Sequence, residues 1–209
     1  MSIRSKGVSG IMMLLASKKN EMIKKIVNSI YPLSKKSLEE INSLIKLEDW
    51  RKGETFIKRN KRNIKEYFLL EGICRSYLVN PNGDKITITF FMDNSILSPY
   101  TTRTQKEISV LNFEALTDIK LASFNAMEFE KLMVNNIEIR AFGNAVLRKE
   151  LSQKVDKEIG LVSLAAKERL QKLREQFPML ENLVPHSVIG SYFGITNVSL
   201  SRLRKKNVR

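Results

Sequence analysis

Apolar residues recur at two different periods along this chain, and the change of period divides it. Leu38, Ile41, Leu44 and Ile45 fall at helical spacing, so a helix is predicted over Leu38–Leu47, with Ser34 or Ser37 able to cap its start. After Trp50 the texture changes. Arg51-Lys52-Gly53-Glu54 is a turn, and Tyr67-Phe68-Leu69-Leu70 is a dense apolar strand ending at Glu71-Gly72. Further strands are predicted over Ile73–Val79, Ile86–Phe91, Ile108–Ala115 and Ile119–Phe124. Asn82-Gly83 between the second and third of these is a strong hairpin signal. Short strands punctuated by single glycines suggest a compact β-barrel or jelly roll.

From Ala126 onward the period is helical again. Met127–Val134 is a short helix, and Ile137–Ile159 runs without proline for a length of roughly 35 Å at 1.5 Å per residue. Its apolar positions are Ile139, Phe142, Val146, Leu147, Leu151, Val155 and Ile159, a drifting stripe interrupted by Gly143. Such a stripe is either the inner face of a core helix or a dimer seam, and periodicity alone leaves both open. Ser163–Gln176 is a further helix with a weak cap at Ser163 and a stop at Pro178.

Composition narrows the chemistry. The chain has 209 residues, 43% of them hydrophobic, enough for a real core. One Cys (Cys74) and one His (His186) exclude an internal disulfide, a four-ligand Cys/His zinc site and a cysteine-held iron–sulfur cluster. Nothing here uses oxidation, which points to a reducing, cytoplasmic compartment. The carboxylate pairs one could imagine, Glu66 with Glu71 and Asp84 with Asp93, lie in turns and strand ends without a catalytic motif, so no enzyme and no catalytic residue is expected. The net charge of +14 favours a polyanionic partner, although a Lys-, Asn- and Ile-rich chain can be basic without function. From Gly160 to Arg209 nine Lys/Arg face three Asp/Glu, so the last quarter is the more basic part.

The run Gly7–Ala16 is apolar but too short for a bilayer span, which takes roughly 20 apolar residues. It reads as an amphipathic helix, or as sequence ahead of an alternative start at Met22, rather than as an export signal. No membrane partner is expected.

The most informative segment is His186–Lys206, HSVIGSYFGITNVSLSRLRKK. Val188, Ile189, Gly190 and Phe193 form one helical face. Gly194 supplies a turn, Thr196 is placed to cap a second helix, and Leu200 and Leu203 form that helix's inner side. This is the pattern of a DNA-binding helix-turn-helix. The second helix would present Asn197, Val198, Ser199, Ser201 and Arg202 to a major groove, with Arg204, Lys205 and Lys206 behind them. Arg202 suits guanine and Asn197 suits adenine. Ser187, Ser199, Ser201 and the terminal cations suit phosphate oxygens.

Taken in order, these features resemble the Crp/Fnr family of bacterial transcription regulators, from about Ile23 onward. Lys52-Gly53-Glu54, Tyr67–Gly72 and Asn82-Gly83 resemble the glycine turns and apolar strand of its sensor domain. Ile137–Ile159 resembles its central dimerisation helix and Gly190–Lys206 its terminal helix-turn-helix. Ile30-Tyr31-Pro32-Leu33-Ser34, and the end soon after Lys206, resemble the wing-less variants common in Bacteroidetes. The resemblance implies an α+β chain. A double-stranded β-roll (jelly-roll) sensor domain would span 22–134, a dimerisation helix 135–160 and an all-α helix-turn-helix domain 161–209. It implies a homodimer that reads a palindrome in double-stranded DNA, and RNA polymerase as a partner if the protein activates. The dimer helix would use Ile139, Phe142, Val146, Leu147, Leu151 and Val155.

The departures from the family are equally specific. Cyclic-nucleotide-binding members carry a Gly-Glu pair and an Arg-Ser/Thr-Ala element over the pocket. Here the stretch from Asp93 to Glu107 contains neither. An effector pocket would use Ile96, Leu97, Ser98, Arg103 and Thr104, and without the Arg clamp a cyclic phosphate lacks its bidentate partner. cAMP is therefore not expected as the effector, nor haem, since the one histidine falls in the DNA-binding part. The effector, if there is one, is an unidentified small molecule. Asn197 and Val198 stand where the family's best-known activator has Arg and Glu, so a different operator is expected. The alternative reading is a ligand-binding or protein-interaction module of the same fold that does not bind DNA.

Overall fold

The computed structural model describes residues 17–97 and 106–205, with Lys205 described by its backbone alone. The segment holding Ser98, Arg103 and Thr104 lies outside the described residues, as do Gly7–Ala16 and Lys206.

A helix over 17–28 (α1) leads to α2, Lys35–Leu44. The Ser34 hydroxyl caps α2 by accepting from the Ser37 N–H. That helix ends three residues before the predicted Leu47. The Ile45 backbone is already extended, and Lys46–Trp50 pairs as strand β1, which periodicity missed. The remaining strands are β2 Thr55–Ile57, β3 Lys65–Glu71, β4 Cys74–Val79, β5 Lys85–Phe91, β6 Ser95–Leu97, β7 Asn112–Ala115 and β8 Ile119–Asn125. They form two four-stranded antiparallel sheets, β1-β8-β3-β6 and β2-β7-β4-β5.

Side-chain alternation sorts the two sheets. Tyr67 and Leu69 of β3 point between the sheets, where they meet Leu97, Leu121, Cys74, Phe91 and Phe113. Phe68 and Leu70 point the other way, onto the helices. With both faces covered, β3 is a continuous apolar run and not an alternating one. Cys74 is fully buried, and burial pushes its thiol well above the ordinary range, so it packs as a small apolar side chain.

Helices α3 (Ala126–Asn135) and α4 (Ile137–Ser163) follow β8. Asn125 caps α3, accepting from the N–H groups of Met127 and Glu128. Asn136 caps α4, accepting from those of Glu138 and Ile139. Helix α4 runs through Ser163, whose hydroxyl bonds back to the Ile159 carbonyl, so Ser163 does not cap the next helix. Helix α5 (Ala166–Gln176) starts after Ala165, whose N–H is satisfied by the Glu168 carboxylate at 2.8 Å. Helices α6 (Leu180–Leu183), α7 (His186–Phe193) and α8 (Asn197–Lys205) complete the chain.

Three apolar clusters result. One lies between the two sheets. A second lies where α1–α4 cover the outer face of the first sheet. The third joins Ile73, Phe90 and Leu116 of the roll to Leu170, Leu173, Leu180, Val184, Ile189, Phe193 and Leu200 of the C-terminal helices.

Candidate nucleic-acid interface

The C-terminal pair α7–α8 is built on two glycines. Gly194 ends α7 in the left-handed conformation at φ +65°, which its missing Cβ permits. Gly190 lies where the turn crosses α7. A Cβ there would stand 3.0 Å from the Ile195 carbonyl oxygen, so a side chain would require the backbone at the crossing to give by a few tenths of an ångström. The Thr196 hydroxyl accepts from the Ser199 N–H at 3.2 Å and caps α8. Leu200 is fully buried and Leu203 half-buried on the inner side of α8. Asn197, Val198, Ser201 and Arg202 are exposed on the outer side. Val198 is 60% exposed, a large apolar group in water at the first turn of a helix.

Two predicted phosphate contacts, Arg204 and Ser199, have other employment. Arg204 sits half-buried against Glu181, with Nε 3.1 Å from the carboxylate, and donates to the His186 ring. It braces α8 against α6 and α7, whereas Arg202 is exposed. The Thr196 and Ser199 hydroxyls share a 3.1 Å bond inside the cap. Ser187 is exposed in the first turn of α7. Lys205 closes α8.

The long helix divides into two halves. Ile139 and Phe142 are fully buried against Phe68, Phe129 and the α1–α2 residues of their own chain, and Val146 is partly buried there. Their assignment to a dimer seam is corrected: the first two turns of α4 are core, held by the roll. Further along, Leu147, Leu151, Val155 and Val162 are 46%, 64%, 44% and 88% exposed and continue as an open apolar stripe.

Sequence reasoning missed the residues that join the roll to the C-terminal helices. On the outer face of the second sheet, buried Arg75 donates to Glu114 at 2.7 and 3.0 Å and to the Thr87 hydroxyl at 2.9 Å. Burial works to raise the Glu114 carboxyl, but its bonds to Lys85 and Arg75 outweigh that and hold it below the usual carboxylate range. Thr87 passes the network to α7: its hydroxyl lies 2.7 Å from the Ser191 hydroxyl, and its N–H donates to that oxygen at 3.2 Å. Lys157 of α4 donates to the Ile88 carbonyl and lies 4.1 Å from the centre of the Tyr192 ring. Burial lowers its ammonium to about 8. Only spatial neighbours identify these residues; no motif marks them.

Between β5–β6, α4, α5 and α7 lies a groove of about 770 Å³, with Ile96, Gln153, Lys157, Arg169 and Tyr192 on its walls. Of the predicted effector residues described, Ile96 reaches this groove. Leu97, its neighbour, turns the opposite way and is fully buried between the sheets, so the two cannot line one surface.

A family model described as the cyclic nucleotide-binding domain matches residues 47–136, from β1 to the cap of α4. Over that stretch the roll is similar to a cyclic nucleotide-binding domain. No curated protein matches this chain in sequence. Among solved structures, FixK2 from Bradyrhizobium japonicum superposes with a TM-score of 0.67 at 19% identity, over 78% of this chain and 83% of that one. CLP, a c-di-GMP responsive global regulator from Xanthomonas campestris, gives 0.65 at 11% identity, over 83% and 91%. A mutant of CooA from Carboxydothermus hydrogenoformans gives 0.62 at 18% identity, over 78% and 76%. The chain therefore has the fold of Crp/Fnr-type regulators. In the roll, the space between the sheets is filled by Phe56, Tyr67, Phe91 and Phe113, in ring contact at 5.9–6.1 Å. Among the described residues no cluster of potential metal ligands occurs, and no helix is long and apolar enough to cross a membrane.

Proposed function

We propose that the protein is a transcription regulator that binds double-stranded DNA as a homodimer, reading a palindromic site with α8. The observation that carries this reading is the sidedness of α8. Leu200 and Leu203 face inward, while Asn197, Val198, Ser201 and Arg202 stand free on the outer surface of a basic C-terminal quarter. Arg202 reads guanine and Asn197 adenine, Val198 offers a methyl-sized contact to thymine, and Lys205 and Lys206 contact phosphate. Dimerisation uses the exposed stripe Leu147, Leu151, Val155 and Val162, which would bring two copies of α8 to successive major grooves about 34 Å apart. The effector is not cAMP. The Arg clamp is missing from the sequence, and aromatic rings fill the space between the sheets.

The test is selection of bound duplexes from random DNA, followed by affinity measurement across a salt series. Affinity should fall steeply as salt rises, because each phosphate contact releases a counterion. Arg202→Ala should relax one base position at a cost of about 1–3 kcal/mol, and Lys205→Ala should weaken all sequences alike and lower the salt slope by about one. Binding that is weak and indifferent to salt would leave the alternative, a module of this fold that does not bind DNA. Titration calorimetry showing micromolar cAMP binding would overturn the effector statement.

A further inference from the structure

We propose that the groove between the roll and the C-terminal helices binds a small aromatic carboxylate on its α5–α7 side. Three rings meet there from three elements. Phe90 of β5 lies 5.2 Å from Tyr192 of α7 and 6.2 Å from Phe177 at the end of α5. Lys157 of α4 stands over the Tyr192 ring and donates to the Ile88 carbonyl. Among the described residues no carboxylate pairs with it, and burial alone lowers its ammonium. Arg169 of α5 is a second cation lining the groove. It shares one face of α5 with Leu173 and Phe177, at i, i+4 and i+8, and its Nε is buried without a hydrogen-bond partner. Two cations from two helices are thus partly desolvated with no counter-charge, an arrangement that a bound anion stabilises.

The carboxylates that line the groove do not fill that role. Asp93 accepts from the Gly72 N–H, Glu150 pairs with Lys154 at 2.9 Å, and Asp156 and Glu158 are exposed on α4. An aromatic carboxylate matches both features of the wall. Its charged end offers a guanidinium or ammonium a charge-assisted hydrogen bond, and its flat body packs on the rings. A groove of about 770 Å³ has room for it. A molecule seated there touches the roll and the C-terminal helices together. A second cavity, of about 230 Å³, lies between the outer face of the first sheet and the α3–α4 hairpin. There Phe68, Phe124, Phe129 and Phe142 form a closed circuit, with successive ring centres 5.1, 5.1, 6.4 and 6.5 Å apart. No buried polar atom left without a partner lines that cavity, whereas Arg169 Nε lines the groove. Binding in the groove requires neither DNA nor a dimer.

The test uses the full chain with ¹³C-methyl methionine and three probes of one shape: indole-3-acetate, indole and tryptamine. Indole-3-acetate should bind saturably with Kd on the order of 0.1–1 mM and move the ε-methyl resonance of Met92, which lines the groove, by ring current. Indole and tryptamine should each bind at least about tenfold more weakly. Arg169→Gln and Lys157→Met should each weaken the acetate by about three- to tenfold and leave indole unchanged. If one of these variants does not fold, the other carries the same readout. Arg148→Gln removes a cation from the exposed surface of α4 outside the groove and should leave the acetate Kd as it is. No saturation, tryptamine binding as tightly as the acetate, acetate affinity unchanged in either folded variant, a loss in Arg148→Gln as large as in Arg169→Gln, or a shift confined to Met133 of the second cavity would each overturn the assignment.

Discussion

The two sheets of the roll carry helices on their outer faces by different chemistry. On the first sheet, Phe68, Leu70, Ala122 and Phe124 meet α1–α4 through apolar contacts. On the second, Phe90 and Ile73 supply a smaller apolar patch. The rest of the contact with α7 runs through the Arg75–Glu114–Thr87–Ser191 network and Lys157. An apolar face loses affinity only when its area is exposed. A polar face exchanges its hydrogen bonds with water at a net difference of roughly 1 kcal/mol each. The first arrangement makes one permanent body. The second suits a unit that must attach and detach, as the DNA-reading helices of a regulator would.

That contrast can be broken in four places. Phe68→Ala removes a ring shared by the circuit and the core and should cost about 3–5 kcal/mol in denaturant unfolding, lowering the stability of the whole chain. Glu114→Ala leaves Arg75 buried without its main partner and should cost about 3 kcal/mol, and replacing Arg75 and Glu114 together with Met and Leu should recover most of it. Thr87→Val should cost about 1 kcal/mol and raise hydrogen exchange in α7 and α8 while leaving α3 unchanged. Equal exchange gains in both places would erase the distinction between the faces.

The smallest effect is that of pH. Lys157 is held at about 8 in the fold, below the ordinary lysine value, so between the two values the unfolded chain binds the extra proton. Stability should therefore rise as pH increases from about 8 toward 10.5, with a gain below about 1 kcal/mol between pH 7 and 8.5. Lys157→Met should flatten that slope. A fall in stability over the same range, absent in Lys157→Met, would mean that the cation over Tyr192 outweighs its desolvation.

Much of the site was legible. Gly190, Gly194 and Thr196 each answer a local steric or capping requirement, and local requirements are written in neighbouring residues. Phe68 and Leu70 announced β3 because five consecutive residues are buried there. Strand β1 was not legible, since Lys46–Trp50 alternates weakly and forms by pairing with β8, some seventy residues away. Ile139 and Phe142 were misassigned because an apolar stripe has the same period whether it meets its own chain or another. Arg204 was misassigned because nothing in a run of cations marks the one that Glu181 and His186 will hold.

By itself the sequence determined the longer strands and helices in their order, the turn geometry of the last two helices, and a supply of one Cys and one His too small for a four-ligand zinc site or a cysteine-held iron–sulfur cluster. These depend on residue type and spacing within a few positions. Tertiary structure alone decided which half of α4 is core, that Arg204 is held by Glu181 and His186, and that four phenylalanines from β3, β8, α3 and α4 close around one cavity. Those outcomes depend on distances between segments remote in the chain, and periodicity carries no information about such distances.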